Sequence, residues 1–256
     1  MECRVEQALA GLIGSGTAGA LAIDRKGGIL HASTYLQLRG MQAVIPLWPG
    51  GALCYLAASM APTRHASLHR ETAETYVSVD LSIDGTGTSS IQTGIPFFDH
   101  MLVLLSRHSL FDLKVDVRGD LEVDSHHTVE DTAIILGRCL AQALGDKTGI
   151  KRYGSALLPM DETLVQVALD LSGRAYLHYQ APANAASIGQ FPFELVEEFL
   201  RAFSSNAHLN LHVDILRGRN SHHMSEAIFK GLAKALDQAC QMDARVPGIP
   251  SSKGVL

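Results

Sequence analysis

His126-His127-Thr128-Val129-Glu130 and His222-His223-Met224-Ser225-Glu226 carry the same three metal-competent side chains at the same spacing. Each follows an acidic or amide residue and a serine, Asp124-Ser125 in one copy and Asn220-Ser221 in the other. A single His-His-x-x-Glu could be a helix start with incidental histidines. Two copies in matching contexts read instead as a metal site encoded twice. On a helix turning about 100° per residue, the Glu lies about 40° from the first His and about 60° from the second, on its other side. All three side chains can coordinate, but they fan outward and are badly placed to share one small ion. Two fans therefore supply two ions.

The duplication makes a geometrical prediction. If the two helix starts approach each other, the first His and the Glu of one copy bind one ion, while the second His turns to the ion of the other copy. Each ion then draws on both repeats and still wants a fourth ligand. His100, in Phe97-Phe98-Asp99-His100-Met101, and His212, in Leu211-His212-Val213, are the candidates.

The surrounding pattern supplies the elements that must position these side chains. Thr75 to Ile83 alternates apolar and polar residues and ends at Asp84-Gly85-Thr86-Gly87, a strand followed by a turn. Pro96 opens a helix, Leu110 to Val123 reads as two short strands around Arg118-Gly119-Asp120, and a helix from about His126 to Leu144 is stopped by Gly145. After the Gly149–Gly154 turn the pattern recurs: strands Leu164–Leu169 and Ala175–Tyr179, helix Phe193–Phe203, strand Leu209–Leu216 and helix His222–Cys240. The repeat period is 96 residues, the offset between His126 and His222. The fold class expected is α+β: a tandem duplication of a half-domain, each half a β-sheet covered by helices, the two related by a pseudo-twofold axis.

Composition removes several function classes. A net charge of -5 offers no basic stripe for nucleic acid. Cys3, Cys54, Cys139 and Cys240 form no CxxC pair, which fits a reducing compartment and excludes a cysteine zinc site. Residues 1–69 read as an extension of unknown role, with the functional chain beginning near Met60. Met41 to Ala61 is mostly apolar, but Pro46, Pro49, Gly50 and Gly51 interrupt it, so no membrane partner is expected. Asp24-Arg25-Lys26-Gly27-Gly28 has the outline of a phosphatase nucleophile loop, yet Lys26 stands where that loop needs its second Asp. The expected location is the cytoplasm; a transit segment in the extension would imply a plastid instead.

Six segments then carry a family resemblance. Arg70-Glu71-Thr72-Ala73-Glu74-Thr75, Gly94-Ile95-Pro96-Phe97-Phe98-Asp99-His100-Met101-Leu102, Asp124 to Asp131, Asn220-Ser221-His222-His223, Glu226-Ala227-Ile228-Phe229-Lys230 and the terminal Pro250-Ser251-Ser252-Lys253-Gly254 resemble imidazoleglycerol-phosphate dehydratase of histidine biosynthesis. The likeness runs from about Arg70 to Leu256, with the motifs in the family's order.

The resemblance implies a dehydratase domain over 70–256, with repeats at about 70–155 and 156–256 and halves of the ribosomal protein S5 domain 2-like type. It implies two Mn²⁺ ions per active site, one held by His126, Glu130, His212 and His223, the other by His100, His127, His222 and Glu226. Ligand softness alone would accept Zn²⁺ or Fe²⁺ equally. It also implies a homo-oligomer of 24 subunits with active sites at subunit interfaces. The reaction implied removes water from D-erythro-imidazole glycerol phosphate to give imidazole acetol phosphate, through a metal-stabilised imidazolate and a diazafulvene-like intermediate. Glu74 takes the general acid/base role. Arg152, Arg174, Lys230, Ser251, Ser252 and Lys253 correspond to the family's phosphate residues, and His108 faces the substrate; His100, His126, His127, Glu130 and His222 contact it as well. Asp161-Glu162 has no evident partner and reads as structural. A dinuclear metallohydrolase of a small phosphate ester is the alternative, although the Asp ligands usual in such centres are missing. A metal-storage protein would need the ligands but neither Glu74 nor the cationic set.

Overall fold

Alternation builds the strands of this fold, and the helices that cross over between them are fixed by their ends. The computed structural model describes the backbone of residues 35–38 and 41–44, and residues 64–182 and 185–256. The chain divides into two units, Met1–Pro62 and Thr63–Leu256. In the first, β1 (Tyr35–Leu38) and β2 (Met41–Val44) form an antiparallel hairpin. The Asp24 loop and most of the apolar Met41–Ala61 stretch lie outside the described residues. Among the described residues no helix is long and apolar enough to cross a membrane.

The second unit is built twice on one plan. The first half runs β3 (His65–Glu71), β4 (Thr75–Ser82), β5 (Ser89–Gln92), α1 (Pro96–Ser109), β6 (Asp112–Gly119) and α2 (His126–Leu144). The second runs β7 (Tyr153–Met160), β8 (Thr163–Asp170), β9 (Tyr176–Gln180), α3 (Glu194–Asn206), β10 (Asn210–Arg217) and α4 (Ser221–Cys240). The sheets have matching orders, β3-β4-β6-β5 and β7-β8-β10-β9. In each the first three strands pair antiparallel and the last pairs parallel, as β5 with β6 and β9 with β10. A parallel pair needs a crossover, and α1 and α3 supply it. Both four-stranded sheets are therefore mixed, and the duplicated α+β arrangement expected from the sequence is present.

Local sequence explains where the elements sit. Val77, Val79 and Leu81 on β4, and Val165, Val167 and Leu169 on β8, turn to the helices and are buried. Pro96 occupies the first turn of α1, where its fixed φ suits the helix and no N–H is missed. On α2, Val129, Ala133, Leu136 and Leu140 form the apolar stripe, and Gly145 ends it at φ 54 with its N–H on the Gln142 carbonyl. Helices of opposite halves meet: α1 lies on α4 and α2 on α3. Phe98 of α1, Phe199 of α3 and Phe229 of α4 join at the centre, with Phe98–Phe199 and Phe199–Phe229 ring centroids 5.7 and 4.9 Å apart. At Gly137 of α2 a Cβ would stand 2.7 Å from the Phe203 carbonyl oxygen, so only glycine lets α2 and α3 come this close.

Three details differ from the sequence reading. Residues 110–123 hold one strand, β6, and Asp120–Val123 form a turn closed by Val123 N–H donating to the Asp120 carbonyl. The sequence pattern does not predict β3, β5 and β7, because their outward residues are too mixed to mark a period. The division at Pro62 and the start of β3 at His65 place residues 65–69 inside the sheet, where His65 to His69 pair with Ser82 to Ser78.

Deleting residues 1–62 should therefore leave cooperative thermal unfolding of the second unit intact, whereas deleting 1–71 removes an edge strand with the buried Ala66 and should abolish it. Circular dichroism melts of the two truncations separate these boundaries. The β3–β4 turn is tied to α2 by Asp131, 8 % exposed, which accepts from Thr75 Oγ1 and pairs with Arg70. Asp131→Ala should cost about 3 kcal/mol, because it strands the buried Arg70 Nη1 and removes the acceptor of the Thr75 hydroxyl. Chemical denaturation midpoints check this value.

Candidate metal centre and active site

The packing of α1 on α4 brings His100 beside the second His-His-x-x-Glu motif. Phe97 and His222 meet edge-on at 5.2 Å, and His100 Nε2 and His222 Nε2 lie 3.0 and 2.9 Å from the same Glu226 oxygen, Oε1. These three are the only group of three His, Cys, Asp or Glu ligand atoms within 4.8 Å of one another among the described residues. Two donors about 2.1 Å from an ion and at right angles to each other lie about 3.0 Å apart, so these spacings fit one coordination sphere. The expected sharing of an ion between the first His and the Glu of one copy has its geometry here, and His100 stands in the place of an added ligand.

Glu226 is 10 % exposed, and its other oxygen, Oε2, is 2.5 Å from Lys230 Nζ. Burial alone would raise its pKa, but hydrogen bonds from Lys230, His100 and His222 outweigh that and hold it at about 2. A carboxylate kept ionised in a buried place is suited to a cation. His108 on α1 is lowered from its usual value by burial and by the nearby Lys230, Lys234 and Arg107. A neutral imidazole beside several cations leaves the positive charge on the lysines, where an anion would be held.

The second histidine of each motif has a different environment. His127 Nδ1 is 2.9 Å from Asp120 Oδ2 and 3.8 Å from Glu74 Oε2. His223 Nδ1 is 2.8 Å from Glu162 Oε2. An ionised carboxylate only accepts, so both rings donate Nδ1–H and, when neutral, keep Nε2 as the nitrogen that can bind a metal; His223 Nε2 also lies 3.8 Å from Asp161 Oδ2. The hydrogen bond to Asp120 raises the pKa of His127, and that to Glu162 raises His223. Glu162 is itself lowered to about 2, first by His223 and then by the Asn220 N–H. Glu162 thus has a partner that its sequence position did not reveal. Asp120 carries no sequence signal either; a carboxylate at a strand end looks like an ordinary turn residue until the fold sets it against His127.

The remaining expected residues are placed as follows. Glu74 is at the β3–β4 turn with its side chain 55 % exposed, its carboxylate 3.8 Å from His127 Nδ1 and beyond hydrogen-bond reach of it. His126 heads α2, its N–H taken by Asp124 Oδ1, and its ring meets His127 edge-on at 6.1 Å. Glu130, one turn on, makes no hydrogen bond with it. His212 is on the face of β10 opposite the buried Leu211 and Val213, its ring tilted against those of Tyr176 and His178 at 5.4 and 5.5 Å. Within one chain His126, Glu130, His212 and His223 do not form a group of three ligands, whereas His100, His222 and Glu226 do. His127 is likewise outside that group.

Among the cations, Arg152 spends Nε and Nη2 on Asp170 at 2.7 and 3.0 Å and Nη1 on the Pro250 carbonyl at 2.8 Å. It thereby pins the start of the Pro250–Lys253 segment, and Lys253 N–H donates to Ser251 Oγ at 3.2 Å. Arg174 and Ser252 are exposed. The described thiols, Cys139 and Cys240, are buried and unpaired, and burial pushes both up to about 12, which removes them as nucleophiles.

Comparison with known proteins meets this geometry. The sequence profile of the imidazoleglycerol-phosphate dehydratase family matches residues 93–236. An imidazoleglycerol-phosphate dehydratase of Caldanaerobacter subterraneus subsp. tengcongensis is 56 % identical over 193 residues, which is 75 % of this chain and 100 % of the relative. That of Geobacter metallireducens is 53 % identical over 194 residues, 76 % of this chain and all of the relative. Among solved structures, the Staphylococcus aureus imidazoleglycerol-phosphate dehydratase is similar with a TM-score of 0.64 at 40 % identity, covering 70 % of this chain and 99 % of that one. The chain belongs to the imidazoleglycerol-phosphate dehydratase family and is a hydro-lyase.

Proposed function

We propose that the chain converts D-erythro-imidazole glycerol phosphate to imidazole acetol phosphate and water in histidine biosynthesis, at a site that holds two Mn²⁺ ions. The observation that carries the metal reading is the convergence of His100 and His222 on the Glu226 carboxylate. His127 completes that set, and His126, Glu130, His212 and His223 hold the second ion. When bound, the ions would supply Lewis-acid stabilisation of the substrate's imidazole as an anion, whose electron pair helps to expel the hydroxyl from the ring-attached carbon.

The chain's own groups do the rest. Glu74, exposed beside His127, gives a proton to the hydroxyl that leaves the ring-attached carbon and takes one from the next carbon of the chain, which forms the enol. The enol that remains becomes the ketone by moving a proton back to carbon. Lys230, Arg174, Ser251, Ser252 and Lys253 receive the phosphate, and Arg152 holds the segment that carries the last three. Neutral His108 adds a hydrogen-bonding group among those cations. Two metal ions could also activate water for phosphate-ester hydrolysis, and it is the family membership that favours dehydration.

Several copies of the chain build each site in this reading, as a homo-oligomer of 24 subunits located in the cytoplasm. His212 supports it: its side chain is on the sheet face turned away from the helices that carry the His-His motifs, so a neighbouring copy must bring it to them. The same face exposes Tyr153, Leu157, Tyr176 and Leu216, an apolar surface of the kind that another subunit covers.

Formation of imidazole acetol phosphate by the metal-free protein after Mn²⁺ addition tests the activity directly; no product at any Mn²⁺ concentration would end this reading. Glu74→Gln should lower turnover by about 10² while metal content and substrate affinity stay at wild-type values, the scale expected for a positioned acid/base. A loss of metal in that variant would show that Glu74 is a ligand instead. His127→Ala should lose one of the two ions and weaken assembly, read by metal analysis and sedimentation; two ions per chain in an active oligomer would remove His127 from the ligand set.

A further inference from the structure

The two repeats share equivalent hairpin turns and strand ends around their second histidines, and the comparison shows an exchange. Glu74 and Glu162 occupy equivalent hairpin turns, each directly before a buried threonine, Thr75 or Thr163, that opens the next strand. Arg118-Gly119-Asp120 and Arg217-Gly218-Arg219 end the equivalent strands β6 and β10. A Cβ on Gly119 would meet Thr128 and Thr75, and one on Gly218 would meet Met224 and Thr163. Thr128 and Met224 each follow the second histidine of their motif, so the two glycines hold the same place. Asp120 therefore corresponds to Arg219, and Glu74 to Glu162.

The hydrogen bonds do not follow that correspondence. In the first repeat the strand end supplies the carboxylate, Asp120, to His127 Nδ1. In the second the strand end is Arg219, which cannot accept, and the hairpin turn supplies Glu162 to His223 Nδ1. Glu162 Oε1 also takes the Arg219 and Asn220 N–H groups at 3.2 and 2.9 Å, locking the turn to the loop before α4. Asp120 makes no such second set of bonds. Its Oδ1 is buried without a hydrogen-bond partner, so His127 is the group it serves.

We propose that Asp120 and Glu162 are positioning residues that hold His127 and His223 as Nδ1–H tautomers, which leaves Nε2 as the nitrogen that binds a metal ion, with only the exposed Asp161 carboxylate 3.8 Å from His223 Nε2, and that the exchange of strand end for hairpin turn is what leaves Glu74 free for proton transfer. This rests on the two-ion reading above. A metal-binding imidazole gains orientation and basicity from a carboxylate on its far nitrogen, and loss of that partner weakens binding by about 10–100-fold. One carboxylate per histidine is enough. Because Asp120 meets the need of His127, the hairpin Glu of the first repeat is spare, whereas that of the second is committed.

Titration of free Mn²⁺ by electron paramagnetic resonance on folded wild-type protein and variants tests this without reference to activity. Glu162→Gln keeps the shape but offers an amide N–H to Nδ1, favouring the Nε2–H tautomer that cannot ligate. One of the two Mn²⁺ sites should weaken by about 10–100-fold, with Glu74→Gln unchanged. Asp120→Ala tests the other repeat, and it stands alone if Glu162→Gln does not fold. There Glu74, 3.8 Å away, becomes the only carboxylate at His127 Nδ1. Mn²⁺ affinity should fall less than in Glu162→Gln, but kcat at saturating Mn²⁺ should fall at least about 10-fold, because the acid/base is drawn off. Wild-type Mn²⁺ affinity in folded Glu162→Gln, or wild-type kcat in Asp120→Ala, overturns the proposal. Failure of the wild-type protein itself to bind Mn²⁺ overturns the two-ion reading instead.

Discussion

The buried carboxylate of Glu226 is the constraint on which this arrangement depends. It sits on α4 of the second repeat, yet one of its partners, His100, belongs to α1 of the first. A carboxylate that is taken out of water must find hydrogen-bond donors or give up its charge. Here the donors come from both repeats, so the interface between halves and the candidate centre are made by the same contacts. Phe97 against His222, and Phe98 in the aromatic cluster below, set the approach of α1 to α4 that the carboxylate requires.

Duplication would by itself give two equal half-sites, and the chain departs from equality in a specific way. The His100, His222 and Glu226 cluster has no counterpart at His126 and Glu130, because α3 carries no histidine where α1 carries His100. The first repeat's set is left open toward the outside of the chain. His212 faces outward on the other sheet for the same reason of sheet geometry: its strand alternates, and Leu211 and Val213 take the buried side. In the proposed two-ion reading, the His126 and Glu130 set and the outward His212 are complementary needs that a second copy of the chain would meet.

Much of this was legible in the sequence where the physics is local. The duplicated His-His-x-x-Glu, the strands Thr75–Ser82 and Thr163–Asp170, and the four helices announce themselves by spacing and by Pro and Gly at their ends. That His222 and Glu226 meet follows from helical spacing alone. What stayed hidden depends on partners far away in the chain. β3 and β7 are edge strands whose outward faces are mixed, so no period marks them. Residues 65–69 looked like part of the extension for the same reason. Glu162 and Asp120 read as turn residues because nothing within a few positions reveals that each turn closes on an imidazole 61 and 7 residues away.

Arg152 shows how the same limit affects a functional residue. Its sequence position after a glycine turn suggests a free cation for phosphate, and the fold instead gives its guanidinium three acceptors, two on Asp170 and one on Pro250. Its backbone is held at φ 73, in the left-handed region that costs a non-glycine residue energy, so the turn is shaped to aim the side chain inward. An arginine fixed in this way cannot swing out to a ligand without leaving Asp170 unpaired. In the proposed function Arg152 would therefore act by holding the Pro250–Lys253 segment in place, leaving the phosphate contact to Ser251, Ser252 and Lys253. A lysine at position 152 would carry the same charge but could not serve three acceptors in one plane, so the geometry, and not the charge, accounts for arginine there.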